Sequence, residues 1–212
     1  MSSKVNPLSL TSTNIRYNDR VFKMFSETFS ALPLATLVGN KYLVLHGGLF
    51  SKDGVTLDDI RKIDRHARRQ PASEGLVNEM LWTDPQPNPG RGPSKRGVGL
   101  QFGPDITKAF CDANGLDAVI RSHEVRMGGY EVEHNQRLVT VFSAPNYWYP
   151  TPRLFRCWWV RGLIVCSDST GNMGAWINLK SDLKLQFQTF EAAPHPNVKP
   201  MAYASNLVGS MM

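Results

Sequence analysis

The chain has 212 residues, of which 42% are hydrophobic and 20% charged, and its formal net charge is +6. A chain of this length buries a substantial core and forms one ordinary domain, alone or with a tail. The positive charge is too weak to indicate nucleic acid as a partner. Three cysteines make no disulfide framework, which favours a cytoplasmic or nuclear location. No signal-peptide core is present, and the apolar run 154–166 is too short and too basic to span a membrane.

The first half of the chain predicts alternating helices and strands. Residues 1–15 form an atypical leader, which we expect to be unstructured. Aromatic residues then recur at helical spacing and predict an amphipathic helix that ends before Pro33. KYLVLHGGLF (41–50) predicts a strand that runs into a glycine turn, and TLDDIRKIDRHAR (56–68) predicts a second helix. The proline- and glycine-rich stretch 70–93 predicts long irregular loops.

Strands dominate the second half. GPDITKAFCDANG (103–115) predicts a helix, with proline near its start and glycine just past its end. Four strands are predicted after it, in the segments DAVIRSH, RLVTVFSAP, AWINL and LKLQFQTF. Residues 191–212 predict a proline-punctuated tail with a short helix at its end. The fold class is therefore α/β, with α+β character.

Two histidines stand where an apolar strand ends: His46 follows YLVL, and His123 follows AVIRS. Because the strand fixes the backbone and the loop after it is accessible, both positions suit a metal ligand. The alternative is that each ring is satisfied by ordinary contacts in the core or in a loop. For His66, His134 and His195 the sequence predicts solvated side chains.

Two further residues have side chains that suit a phosphate group. Arg96 lies in the glycine-rich segment SKRGVGLQFG, and its planar guanidinium matches a pair of phosphate oxygens. The alternative is one exposed basic residue among several. Tyr147, in SAPNY, has a hydroxyl that can donate to an oxyanion, or a ring that covers a hydrophobic edge.

Taken in order, six segments resemble the phosphoprotein phosphatase family of serine/threonine phosphatases: HGGLFS, MLWTDPQP, KRGVGLQFGPDITKAF, LDAVIRSHEV, GYEVEH and VTVFSAPNY. The resemblance implies that residues 16–190 are the C-terminal portion of a metallophosphatase catalytic domain, a β-sandwich flanked by helices. GVTLDDIRKID and the tail are most similar to one branch of the family, whose tetratricopeptide region is expected to bind chaperones.

The resemblance also implies roles for the candidate residues. His46 and His123 correspond to two imidazole ligands of one metal ion, and Arg96 and Tyr147 correspond to residues that contact the substrate phosphate. The family uses two divalent ions (Mn, Fe or Zn), and a hydroxide that bridges them attacks phosphoserine or phosphothreonine. The implied partners are phosphoprotein substrates, with no nucleic acid and no membrane.

Part of the family pattern is missing. The motifs DxH, GDxxDRG and GNHE, which supply the other metal ligands, the general-acid histidine and a second phosphate-binding arginine, do not precede HGGLF in this chain. Two neutral imidazoles are too few to hold a dinuclear centre. We therefore expect the isolated chain to bind metal poorly and to show no measurable phosphatase activity. The alternative function is that of a non-catalytic fragment that acts only by binding partners.

The segment 148–167 departs from the resemblance, because in the family NY is followed directly by Cys-Asp. Tryptophan has the single codon TGG and tyrosine codons begin with TA, so the bases after TG of codon 148 are GTA, as at a splice donor. A serine codon beginning with AG at position 167 would supply the acceptor. The segment has an in-frame length, which predicts a retained intron. The alternative is a lineage-specific loop.

Overall fold

The computed structural model describes residues 18–65, 74–147, 157–160, 163–166 and 171–194. The predicted leader and the predicted short helix of the tail lie outside the described residues, as do His66 and His195. No helix in the described ranges is long and apolar enough to cross a membrane.

The described elements follow one another as a mixture of short helices and strands. The helices are α1 (Asp19–Ala31), α2 (Leu57–Arg61), α3 (Leu76–Trp82) and α4 (Pro104–Asn114). The strands of the main sheet are β1 (Ala35–Val38), β2 (Tyr42–Leu45), β6 (Ala118–Arg121), β7 (Tyr130–Glu133) and β8 (Leu138–Val141). The remaining strands are β3 (Asp84–Pro85), β4 (Arg91–Pro93), β5 (Leu100–Phe102), β9 (Cys157–Val160), β10 (Leu163–Cys166), β11 (Gly174–Leu179) and β12 (Leu185–Phe190).

The main sheet has the strand order β1-β2-β6-β8-β7. Its three inner strands, β2, β6 and β8, run parallel to one another, whereas β1 and β7 pair antiparallel at the two edges. Because parallel strands point the same way, the loops that follow β2, β6 and β8 emerge along one edge of the sheet. His46 and His123 begin two of these loops.

Alternation along the inner strands places side chains on both faces of this sheet. On β6, Val119 packs into a core that contains Phe102 and Phe110. Its neighbours Ala118 and Ile120 point the other way, into a second cluster that includes apolar side chains of the β11–β12 hairpin. The central strands are therefore covered on both faces, which fixes the edge where the histidines lie.

Two predicted elements are wrong in extent. The helix predicted over 56–68 ends at Arg61, after a capping box in which Thr56 and Asp59 bond each other's backbone N–H groups. The stretch 70–93 is not irregular throughout its described part, because it contains α3, β3 and β4. Prolines and glycines flank LVNEMLW but do not interrupt it, and burial of Val77 and Met80 stabilises this helix.

Helix α1 confirms the first predicted helix. Its N-cap residue Asn18 accepts a hydrogen bond from the Val21 N–H at 3.0 Å, and the helix ends two residues before Pro33. None of its residues is buried; Phe25 and Phe29 are 49% and 58% exposed. The described residues therefore leave the apolar face of α1 uncovered.

His134 is not solvated, contrary to the sequence prediction. The residue is 9% exposed, and its Nδ1 lies 2.7 Å from the Thr107 hydroxyl, while its Nε2 lies 3.0 Å from the Gln86 carbonyl oxygen. The ring also packs edge-to-face against the Phe102 ring. A neutral imidazole that donates from Nε2 to Gln86 and accepts from Thr107 satisfies both ring nitrogens. His134 thus joins the β7–β8 turn to α4 and to the loop after β3.

We expect the free energy of unfolding to fall as the pH drops below about 6.5. Burial lowers the pKa of His134 below its ordinary value, so the unfolded chain binds a proton that the folded chain excludes. The free energy of unfolding is therefore undiminished above the pKa that His134 has in the unfolded chain. It is lost progressively as the pH falls from there toward the lower pKa that His134 has in the folded chain. Urea unfolding at several pH values between 8 and 5 measures this slope.

His46 and His123 contribute to the slope in the same direction, because their pKa values are also lowered. The substitution His134→Gln keeps polar atoms at the site but removes one of the three titrations. It should make the slope shallower without abolishing it. A slope unchanged by this substitution would show that His134 is not protonated differently in the two states.

Candidate metal and phosphate site

The structure brings His46 and His123 together at the carboxyl edge of the main sheet. His46 directly follows β2, and His123 lies two residues after β6, which is the adjacent parallel strand. His46 Nε2 and His123 Nδ1 are 3.0 Å apart, and the ring centroids are 4.8 Å apart. His123 has a φ of 68°, in the left-handed region, which turns its side chain back toward His46.

The two glycines after His46 allow the chain to pass close to α3 and β5. The Gly47 N–H donates to the Met80 carbonyl oxygen at 2.7 Å. A Cβ on Gly47 would lie 2.5 Å from the Leu81 carbonyl carbon, and one on Gly48 would lie 2.3 Å from the Phe102 ring. Glycine is thus required at both positions, and the tight turn fixes where His46 leaves the sheet.

Both imidazoles are neutral at physiological pH. Burial, followed by the charge of Arg96, lowers the pKa of His123 to about 4. Burial and the nearby Arg121 and Arg96 guanidinium groups lower the pKa of His46. A neutral imidazole has a lone pair available for a metal ion, so the electrostatics of the site favour the ligand form of both residues.

The donor set fits one cation. Adjacent ligands around a single ion, each with a metal–nitrogen bond of about 2.1 Å, are separated by a distance close to the 3.0 Å between His46 Nε2 and His123 Nδ1. His123 Nε2, the ring nitrogen that does not face His46, is buried and has no hydrogen-bond partner among the described residues, a condition that costs on the order of 1–3 kcal/mol. Across the described ranges, no group of three or more His, Cys, Asp or Glu side chains is placed to hold a metal.

Arg96 lies beside this pair, with its side chain 26% exposed. Its Nε donates to Asp84 Oδ2 at 2.7 Å, and its Nη2 approaches the His123 carbonyl oxygen at 3.5 Å. The structure therefore favours an arginine held within a site over an unconstrained surface residue. A guanidinium adjacent to two metal-ligand candidates suits a phosphate group that contacts both.

Tyr147 lies on the neighbouring loop, which follows β8. Its ring packs edge-on against Phe142, with centroids 5.1 Å apart, and the residue is 44% exposed. Its N–H donates to Asn172 Oδ1 at 2.8 Å, and the Asn172 amide in turn donates to the Ala144 carbonyl oxygen at 2.9 Å. Asn172 thus holds the start of the loop, and Tyr147 remains accessible to a ligand.

Sequence reasoning missed Asp84 and Arg121, the two residues that support the site. Arg121 is 1% exposed although it ends an apolar strand, and Asp84 lies within MLWTDPQP, a segment predicted to be a loop. The available signal was a charged residue at the end of a continuous apolar strand segment, residues 118–120. The cavity of about 950 Å³ between α2 and α3 does not include any of the four candidate residues in its lining.

Comparison with known families shows where this chain, with its two histidine turns at one edge of a parallel sheet, belongs. The family model of the calcineurin-like phosphoesterases matches residues 7–127, which is more than half of the chain. The chain belongs to this family. Its mixed α/β fold is that of a metallophosphatase, as the sequence predicted.

Among curated proteins, the chain is 65% identical to serine/threonine-protein phosphatase T of Aspergillus oryzae, over 93% of this chain and 37% of that protein. It is 53% identical to human serine/threonine-protein phosphatase 5, over 91% of this chain and 35% of the relative. A solved Saccharomyces cerevisiae phosphatase, described as similar to human PP5, matches with a TM-score of 0.72 and 45% identity, over 90% of this chain and 56% of the other.

These relatives confirm the predicted resemblance to the protein phosphatase five branch. They are named as serine/threonine protein phosphatases, members of the phosphoric monoester hydrolases. The chain spans about a third of the length of the curated relatives it matches.

Proposed function

We propose that this chain forms part of the active site of a serine/threonine protein phosphatase, namely the part that holds one divalent cation and binds the substrate phosphate. The observation that carries the proposal is the 3.0 Å approach of His46 Nε2 to His123 Nδ1 beside Arg96. Similarity to phosphatases T and 5 supports phosphoserine and phosphothreonine in proteins as substrates.

Each residue has a distinct role in this proposal. His46 and His123 would hold the cation through His46 Nε2 and His123 Nδ1, and Mn, Fe or Zn would suit neutral imidazole ligands. Arg96 neutralises and orients the phosphate oxygens. Tyr147 donates its hydroxyl to the same phosphate from the loop after β8. The cation, when bound, acts as a Lewis acid and lowers the pKa of coordinated water.

The chain's own residues supply only part of this chemistry. Two imidazoles provide no negative charge to hold two divalent ions, and the described ranges contain no group of three or more His, Cys, Asp or Glu side chains placed to hold a metal. We therefore propose that the isolated chain binds a single cation weakly and has no measurable phosphatase activity. The apolar face of α1, which the described residues leave uncovered, favours the alternative function, in which the chain acts by binding a partner.

From the same resemblance we propose a chaperone-binding tetratricopeptide region in the intact protein. From the cysteine usage of the sequence we propose a cytoplasmic or nuclear location. Fractionation of cells that express the chain tests the location.

Replacing either histidine should weaken metal binding. We expect the wild-type chain to bind about one Mn²⁺ with a Kd on the order of 0.1–1 mM, because affinity rises with the number of ligands. His46→Ala and His123→Ala should each weaken binding at least tenfold, and isothermal titration calorimetry measures both. Hydrolysis of a phosphopeptide by the wild-type chain with Mn²⁺ should stay at the uncatalysed rate.

His195→Ala is the matched control, since the sequence assigns this histidine no role in the site; its Mn²⁺ affinity should equal that of the wild type. Equal affinities in all four proteins would show that His46 and His123 do not form a metal site. Robust turnover that disappears in His123→Ala would show that the chain is a complete enzyme and that the proposed inactivity is wrong.

A further inference from the structure

Arg121 connects the two histidine turns of the site. Its side chain is fully buried. Its Nε donates to the carbonyl oxygen of Gly47, the residue after His46, at 2.6 Å. Arg121 itself lies two residues before His123. The Arg121 side chain therefore contacts the turn after His46, while its backbone ends the strand that leads into the His123 turn.

Asp84 bridges this buried arginine and the candidate phosphate-binding arginine. Its Oδ1 accepts from Arg121 Nη2 at 2.8 Å, and its Oδ2 accepts from Arg96 Nε at 2.7 Å. The Asp84 side chain is 7% exposed, compared with 26% for Arg96. Both carboxylate oxygens are thus occupied by charge-assisted hydrogen bonds, one from the core and one from the site.

A second carboxylate, that of Glu124, also pairs with the buried Arg121 guanidinium. Glu124 Oε2 accepts from Arg121 Nη1 at 2.7 Å and from Arg126 at 3.2 Å. Burial alone would raise the pKa of Asp84, but the hydrogen bond from Arg96 and the charge of Arg121 outweigh it, so that the pKa is lowered and the carboxylate stays ionised. Buried charges persist only when they are paired in this way.

We propose that Asp84, held in place by Arg121, is a positioning residue for phosphate recognition: it fixes the plane of the Arg96 guanidinium beside His123. A long arginine side chain at a partly exposed position otherwise samples many rotamers, and that freedom is lost when it binds a ligand. With Nε hydrogen-bonded to Asp84, the guanidinium is ordered before phosphate arrives. The inference rests on the proposed phosphate-binding role of Arg96.

The test is a double-substitution cycle on the chain with inorganic phosphate as the probe and Mn²⁺ present. Asp84→Asn retains the shape of the side chain but removes its charge, and we expect phosphate affinity to fall about tenfold, as for loss of one charge-assisted hydrogen bond. In an Arg96→Met background the same substitution should change phosphate affinity less than twofold, because no guanidinium remains to be positioned. Mn²⁺ affinity should stay within about twofold throughout.

Asp53→Asn is the matched control, because Asp53 pairs with Arg91 at 2.6 Å on the surface; it should leave phosphate affinity unchanged. If Asp84→Asn does not fold by circular dichroism, Asp84→Glu keeps the charge and displaces the carboxylate by one methylene, and a severalfold loss of phosphate affinity is expected.

The outcomes separate the two proposals. Wild-type affinity for phosphate equal to that of Arg96→Met would overturn the proposed role of Arg96. A difference between those two proteins, with Asp84→Asn and Asp84→Glu both binding as wild type, would overturn the positioning role alone. Equal losses from Asp84→Asn in the wild-type and Arg96→Met backgrounds would show that Asp84 acts on the fold and not on Arg96.

Discussion

Gly47→Ala is expected to lower the free energy of unfolding by about 3 kcal/mol. The added Cβ would lie 2.5 Å from the Leu81 carbonyl carbon and 2.7 Å from the Trp82 amide nitrogen. Both are backbone atoms, so no rotamer change relieves the overlap. The turn cannot move away, because its N–H bonds Met80 and its carbonyl oxygen bonds Arg121. Urea unfolding followed by circular dichroism measures the loss.

The same substitution should also weaken Mn²⁺ binding, since any shift of the turn displaces His46 from His123. Gly128→Ala is the matched control, because its Cβ would meet only the Tyr130 carbonyl oxygen at 4.0 Å. We expect this control to change the free energy of unfolding by no more than about 0.5 kcal/mol. A Gly47→Ala chain as stable as the control would mean that the β2–α3 packing is looser than the structure shows.

The position of the two candidate metal ligands at strand ends was predictable because it depends on local patterns. Apolar runs that end in histidine predict strands, and parallel pairing of β2 and β6 then brings the two strand ends to one edge. The helix at 103–115 was equally predictable from its proline start and its glycine end, and α4 confirms it with Gly115 in the left-handed conformation.

What the sequence did not predict depends on contacts between distant segments. His134 lies in a polar turn, yet its ring is buried by Thr107, Phe102 and the Gln86 carbonyl oxygen. Asp84 and Arg121 lie far apart along the chain, and the two buried charges balance each other because the side chains form an ion pair. Periodicity does not show such pairings. The sequence therefore predicted a loop around Asp84 and a strand at Arg121 without indicating that the two side chains meet.

Replacing residues 148–167 by a single cysteine should leave the site intact and raise the free energy of unfolding by about 1–2 kcal/mol, because closing a shorter loop costs less entropy. The residues on either side of the segment are already joined by hydrogen bonds that do not involve it. The Gly171 N–H donates to Asn146 Oδ1 at 3.2 Å, and the Asn146 N–H donates to the Asn172 carbonyl oxygen at 2.8 Å. The chain therefore leaves and re-enters the fold at one place.

The same replacement should increase the soluble yield severalfold. In the described part of the chain, β9 and β10 form a two-stranded sheet with each other and join no other sheet, and such a hairpin is marginally stable on its own. Its sequence, CWWV and LIVC, combines high β-propensity and hydrophobicity without charge, a pattern that promotes aggregation. Centrifugation and thermal melting of the two proteins measure yield and stability.

A glycine-serine linker of the same length as the segment is the control that separates loop length from composition. It should recover the solubility but not the gain in stability, because the loop remains long. A shortened chain with lower stability or lower yield than the original would show that residues 148–167 are an integral loop, against the retained-intron interpretation. Sequencing the transcript across codons 146–168 then decides the origin of the segment, since a spliced message would encode Cys-Asp directly after Tyr147 and give the loop after β8 its short form.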